Sequence, residues 1–153
     1  MSQNPLKHLK ILFVEDEDKI REHIATSLRY IVHEVKEASN GKEALKILET
    51  FSPDLIITDL EMPVMNGVNF IKTVRESGSN VCIVVLTAHT SSEYLLPLID
   101  AHIEQYIVKP INFDKMISTL ERCNTKLTHL KEQLGLPKGY VYDWNQKILM
   151  YES

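Results

Sequence analysis

The sequence predicts an α/β domain built on a doubly wound, five-stranded parallel sheet, and three observations carry that prediction. Short, almost unbroken apolar runs recur, ILFV at 11–14, LII at 55–57, VCIVVL at 81–86 and YIV at 106–108, as strands buried on both faces require. Amphipathic stripes at helical spacing separate the runs. The chain, 153 residues with 44% hydrophobic content, can bury one core with a little left over.

Each element follows in order. ILFV opens the sheet, and Ile20, Ile24, Leu28 and Ile31 then form a single stripe that faces it. HEVKEA, 33–38, alternates apolar with polar residues and is a strand nearer the sheet edge. Ala44, Leu45 and Leu48 mark a second helix over 42–50. LII is the third strand, and Val68, Ile71 and Val74 mark a third helix ending at Gly78, where a residue tolerant of positive φ is expected. VCIVVL is the fourth strand. A weaker fourth helix covers 92–101, short or kinked because Pro97 lies too deep for a regular first turn. After the YIV strand, the fifth helix starts beyond Lys109-Pro110, with Asn112 as N-cap and Asp114 in its first turn.

Charge and cysteine usage exclude several classes of function. With 17 basic against 21 acidic residues and a formal net charge of −4, the chain is not a nucleic-acid-binding polycation. No charged-then-apolar leader and no bilayer-length apolar run is present, so a cytoplasmic protein without membrane contact is expected. Cys82 and Cys123 lack metal-ligand spacing and read as buried thiols, not a disulfide.

In sheets of this kind ligands bind outside the carboxyl ends of the strands. Glu15 and Asp16 end the first strand, Asp59 the third, Thr87 the fourth and Lys109 the fifth, so three acids, a hydroxyl and an ammonium should converge at one rim. Taken alone, EDED at 15–18 reads as solvated acids complementing a helix dipole, and Glu17 and Asp18 fit that reading. Glu15 and Asp16 fit it less well, because three clustered carboxylates repel unless a cation neutralises them. Their hard oxygens suit Mg²⁺. A divalent ion, Lys109 and the Thr87 hydroxyl around Asp59 would clamp phosphoryl oxygens about a nucleophilic aspartate. Each residue has an ordinary alternative: Thr87 as a helix N-cap, Lys109 as a solvated loop lysine, Asp59 as the cap of a turn in DLEMPVMNG. These alternatives are plausible separately and implausible together.

In family order and spacing, ILFVEDED, PDLIITDLEMPVMNG, VVLTAH and YIVKPI resemble the receiver domain of two-component response regulators, CheY-like in fold, over residues 8–125. The resemblance implies that Glu15, Asp16 and Asp59 bind Mg²⁺ with the main-chain carbonyl of Glu61, and that Asp59 accepts phosphate from a histidine kinase or phosphotransfer protein. It implies that Thr87 and Lys109 contact the phosphoryl group and that Tyr106 is the switch aromatic. It implies a cis Lys109-Pro110 bond, and it places Glu61 and His89 beside the path of the hydrolysing water, where they would set phosphate lifetime. Without the other motifs Tyr106 would be an edge-strand aromatic with a wet hydroxyl, and His89 a solvated loop residue. The sequence departs from the family pattern at AHIEQY, 101–106, and FDKMISTLERC lacks the mixed charges of the transcription-factor dimer face.

Two rivals stand beside a phosphorylated switch. A phosphohydrolase with an aspartyl-phosphate intermediate wants a second aspartate where this chain has Glu61, and a receiver fold that merely scaffolds would not need every pocket position filled.

Past the receiver, Phe113, Met116, Leu120, Cys123, Leu127, Leu130 and Leu134 continue one apolar stripe to Gly135 and Pro137. Beyond about Thr125 this stripe is expected to lack receiver surface, so its partner would be the same helix of a second chain or a returning tail, the alternative being a frayed, partly exposed helix end. YVY and ILMY flank DWNQK and predict a β-hairpin. The expected organisation is a receiver domain at 1–125, a helix extension and linker at 126–138, and a hairpin at 139–153. That hairpin resembles the opening strands of the winged-helix domain in OmpR-like regulators, so that DNA would be bound only through a domain beyond Ser153; the alternative is a stand-alone receiver acting through protein contacts.

Overall fold

Five strands pair in the order β2-β1-β3-β4-β5, all parallel. They are β1 (Lys10–Val14), β2 (Glu34–Ala38), β3 (Leu55–Asp59), β4 (Cys82–Thr87) and β5 (Gln105–Val108). The computed structural model describes residues 4–88, 96, 98, 100–133, 140–143 and 148–151. Helices α1 (Asp18–Arg29), α2 (Gly41–Leu48), α3 (Gly67–Glu76) and α4 (Phe113–Gln133) complete the described elements of the domain, α4 being the helix expected as the fifth. The segment expected as the fourth helix lies largely outside the described residues, of which Leu96, Leu98 and Asp100 are helical. No described helix is long and apolar enough to cross a membrane.

Strand alternation divides the core between the two faces of the sheet. Ile11, Phe13, Leu55, Ile57, Val84 and Leu86 share one cluster with Ile24 and Leu28 of α1 and Met116 and Leu120 of α4. Leu12, Val14, Ile56, Ile83 and Val85 share the other with Ala44 of α2 and Phe70, Ile71 and Val74 of α3. The central strands are covered on both sides, as their unbroken apolar runs require. At the edge the expectation fails: Ile107 of β5 is fully buried, but Tyr106 is 45% exposed, because β5 is the last strand of the sheet and no further strand among the described residues pairs with it.

Asparagine starts three of the helices. Asn40 Oδ1 accepts from the Glu43 amide at 2.8 Å, Asn66 Oδ1 from Asn69 at 2.9 Å and Asn112 Oδ1 from Asp114 at 2.9 Å. Gly78, at φ 91°, follows the end of α3. Arg75, near that end, donates to the carbonyls of Val81 (2.7 Å), Ala101 (2.8 Å), His102 (3.0 Å) and Ser79 (3.1 Å), tying the approaches to β4 and β5 to one guanidinium. Burial lowers its pKa from the ordinary arginine value.

The apolar stripe of α4 does not run out of surface at Thr125. Leu127 is only 6% exposed and belongs to the cluster that contains Leu6 and Leu9. The segment before β1 folds into a turn, with Asn4 Nδ2 donating to the Ile31 carbonyl at 2.8 Å and Asn124 Nδ2 of α4 donating to the Pro5 carbonyl at 3.3 Å. PLKHL is too short to display a period, so its contribution to the core was invisible in the sequence. Leu130, one turn on, is 37% exposed, and Leu134 lies outside the described residues. Further along, β6 (Tyr140–Asp143) and β7 (Ile148–Tyr151) pair antiparallel, Tyr140 opposite Tyr151.

The difference between neighbouring leucines is measurable. Leu127→Ala should destabilise the domain by about 2–4 kcal/mol in urea denaturation and Leu130→Ala by under about 1 kcal/mol, because only the former empties a buried site. Equal losses would mean that the stripe is covered throughout.

Candidate functional site

The parallel sheet brings its carboxyl ends to one rim, and a cavity of about 250 Å³ opens there, lined by Asp16, Asp59, Glu61, Thr87, Ala88 and Lys109 among others. Asp59 is the last residue of β3 and Thr87 the last of β4; they are 4% and 1% exposed. Glu15 and Asp16 follow β1, and Lys109 follows β5. The five residues expected to converge therefore do so.

Lys109 Nζ lies 2.6 Å from Asp59 Oδ2 and 3.4 Å from Glu15 Oε1. Burial pulls the Lys109 pKa down, but the hydrogen bond and charge of Asp59, with help from Glu15, outweigh burial and raise it, so the ammonium stays charged. The Lys109-Pro110 bond is cis. The Lys109 amide donates to the Thr87 carbonyl at 2.8 Å, holding the ends of β4 and β5 together beneath the cavity.

One ammonium faces three acids. An oxygen from each of Glu15, Asp16 and Asp59 lies within 4.8 Å of the others. Glu15 is fully buried, and its pKa is pushed up to about 7, first by burial and then by the hydrogen bond and charge of Asp59. Three hard carboxylate oxygens in excess of the local positive charge fit a divalent cation such as Mg²⁺.

The turns that carry these groups are braced. After β3 the chain doubles back, so that the Gly67 amide donates to the Leu60 carbonyl at 2.8 Å. A Cβ on Gly67 would sit 2.1 Å from the Asp59 carbonyl oxygen, so only glycine permits this approach. Within the loop Val64 takes φ 69°, a strained conformation for a β-branched residue, and Met65 donates to the Pro63 carbonyl at 2.7 Å across it. The Glu61 amide donates to Asp59 Oδ1 at 3.2 Å, orienting the carboxylate, while the Glu61 side chain is exposed. Arg21 was missed in the sequence: its Nη1 donates to the Glu15 carbonyl at 2.8 Å, and its Nη2 pairs with Asp18 at 2.7 Å. The Asp18–Arg21 spacing on a predicted helix was the one available signal. Tyr106, on the outer side of β5, does not line the cavity, and His89 lies outside the described residues.

The acid crowding predicts a pH dependence. Glu15 has its folded pKa raised to about 7 from 4.5, so the stability associated with it is fully present below pH 4.5 and is lost as pH rises through 7. In chelator-treated protein, Glu15→Gln should remove that slope and raise stability at pH 8 relative to wild type by on the order of 1–3 kcal/mol, with little gain at pH 4. Parallel urea denaturation curves for the two proteins at both pH values would contradict the burial of a reluctant charge.

Comparison with known proteins agrees with this geometry. The chain is 32% identical over 145 residues to the two-component response regulator PhoP of Pseudomonas aeruginosa, covering 95% of this chain and 64% of that protein. It is 28% identical over 146 residues to the transcriptional regulatory protein HptR of Staphylococcus aureus, covering 94% and 57%. Among its curated relatives the chain spans about half of their length, from 31% to 71%. The crystal structure of the chemotaxis response regulator CheY4 of Vibrio cholerae is similar at a TM-score of 0.71 and 34% identity, covering 76% of this chain and 99% of that one. The family profile described as the response regulator receiver domain matches residues 11–121, and the chain, with its acids, hydroxyl and lysine gathered at the rim of a five-stranded parallel sheet, belongs to that family of two-component systems.

Proposed function

We propose that this chain is a phosphoacceptor switch, in which Asp59 takes a phosphoryl group from a histidine kinase or phosphotransfer protein in the cytoplasm. The observation that carries the reading is the Asp59 carboxylate at the cavity floor, held by Lys109 at 2.6 Å and by the Glu61 amide at 3.2 Å. In the step, an Asp59 carboxylate oxygen attacks phosphorus, the bond from phosphorus to the donor histidine nitrogen breaks, and the nitrogen keeps the electron pair. Lys109 shifts its charge from Asp59 to a phosphoryl oxygen, and the Thr87 hydroxyl donates to another. Glu15, Asp16 and Asp59, with the Glu61 carbonyl, would hold a Mg²⁺ ion, which would supply charge neutralisation between the anionic nucleophile and the anionic phosphoryl group.

The output in this reading is a binding surface. New charge on Asp59 draws Thr87 and Lys109 toward it, and Tyr106, half-exposed on β5, is free to change position as Thr87 moves. The relatives named as response and transcriptional regulators support control of transcription, and in this reading residues 139–153 begin an effector region after a helix extension and linker at 126–138, with α4 as the surface for any homodimer. Glu61 and His89 would tune how long the phosphate persists. A phosphohydrolase is disfavoured by the exposed glutamate at position 61, where that chemistry wants an aspartate.

Intact mass measured after treatment with acetyl phosphate and Mg²⁺ tests the assignment. Wild type should gain one phosphoryl group that persists long enough to be isolated, and Asp59→Asn should gain none while keeping its fold. An unchanged adduct on the variant would move the site elsewhere, and rapid turnover of acetyl phosphate without an adduct would favour the hydrolase. Followed over time, the same assay should give Glu61→Ala a changed rate of phosphate loss with wild-type stoichiometry. A decay identical to wild type would remove Glu61 from lifetime control.

A further inference from the structure

Away from the acidic rim, Cys82 and Cys123 are nucleophilic side chains for which the phosphoacceptor switch has no use. Cys82 opens β4 and Cys123 lies on α4; they are 5% and 3% exposed, and both thiols are free. Although distant in sequence, they line one small cavity of about 20 Å³ together with Glu104, Lys126 and Leu130. The two thiols belong to the same buried cluster, and each is the leading influence on the other's pKa. Lys126 and Glu104 form an ion pair beside them.

The pair is chemically unequal. Cys82 pushes the Cys123 thiol down, against burial and the charge of Glu104, and Lys126 and Arg122 add to the lowering. Cys123, together with burial, pushes Cys82 up. Cys123 is thus the readier nucleophile of the two, and Cys82, lining the same cavity, is placed to resolve it. A nucleophilic cysteine with a second thiol in the same cavity is the arrangement that converts a first oxidation into a disulfide. The cavity is large enough for a molecule about the size of water, roughly 10–15 Å³, and too small for a bulky disulfide such as oxidised glutathione.

We propose that Cys82 and Cys123 form an oxidation site for small hydroperoxides, hydrogen peroxide above all, which closes to a disulfide joining the start of β4 to α4. The Cys123 thiolate attacks one peroxide oxygen, the O–O bond breaks, and the departing hydroxide takes a proton to leave as water. Cys123 is then a sulfenic acid. The Cys82 sulfur, losing its proton, attacks the Cys123 sulfur, the S–O bond breaks, and the oxygen leaves as a second water. Two thiols lose two electrons and the peroxide gains them. The product ties α4 covalently to the strand whose far end carries Thr87, so the oxidised domain holds α4 fixed on the sheet.

The test uses the 153-residue protein, reduced, freed of reductant and treated with hydrogen peroxide. Peptide mapping without reductant should show loss of two hydrogen atoms from a linked pair of peptides carrying Cys82 and Cys123, in a chain that remains uncrosslinked to others. The melting temperature should rise by several degrees and return on reduction. Cys82→Ala should leave Cys123 as a sulfenic acid that dimedone labels, while Cys123→Ala should leave Cys82 unlabelled. Oxidised glutathione should give no mixed disulfide under native conditions. The proposal is overturned if the folded wild-type chain keeps both thiols while forming the crosslink only in urea, or if dimedone labels Cys82 first. The wild-type mapping decides the matter even where a variant fails to fold.

Discussion

The contact between Lys109 and Asp59, with Glu15 buried just behind it, is the constraint on which the rest of this domain depends. A parallel sheet delivers the carboxyl ends of all its strands to one rim, so side chains at those ends are forced into company whatever their charge. Here the company is three carboxylates and one ammonium. Lys109 stabilises Asp59 at 2.6 Å but reaches Glu15 only at 3.4 Å, too weakly to offset burial and the nearby Asp59, which push the Glu15 pKa up to about 7. The site stores unfavourable electrostatics that added positive charge, or transfer of the lysine to another anion, would relieve.

Much of the remaining structure holds that arrangement in place. Gly67 lets the loop after β3 press against the Asp59 carbonyl, and Val64 carries backbone strain in the same loop. Arg21 grips the Glu15 carbonyl from α1, and the Lys109 amide is bonded to the Thr87 carbonyl. At the opposite end of the sheet, Arg75 gathers four carbonyls from the segments that lead into β4 and β5. Position at the rim is therefore set from both ends of the strands. The thiol pair sits at the amino end of β4, on the face covered by α4, well separated in the fold from the acids, so its chemistry and theirs report on different parts of one sheet.

The sequence by itself determined the sheet, the winding and the members of the rim. Unbroken apolar runs such as VCIVVL can be satisfied only where both faces are covered, and the acids, threonine and lysine at their ends then have no freedom to be elsewhere. Asn112 as a cap and Gly78 beyond α3 were equally legible, because capping and positive φ are local requirements. What only the tertiary structure decided was anything that depends on which segments meet. Tyr106 sits in an apolar run like those of the central strands, yet β5 lies at an edge and leaves it half-exposed. Leu127 has the same helical spacing as Leu130, yet it is buried in a cluster with Leu6 and Leu9 from a stretch too short to announce itself. Arg21 is a surface arginine by pattern and a brace by contact. Cys82 and Cys123 are two unrelated buried thiols in the sequence and line one cavity in space. Periodicity and capping record what a residue needs from its own neighbourhood, whereas burial, pairing and pKa depend on distant segments brought within a few ångströms by folding.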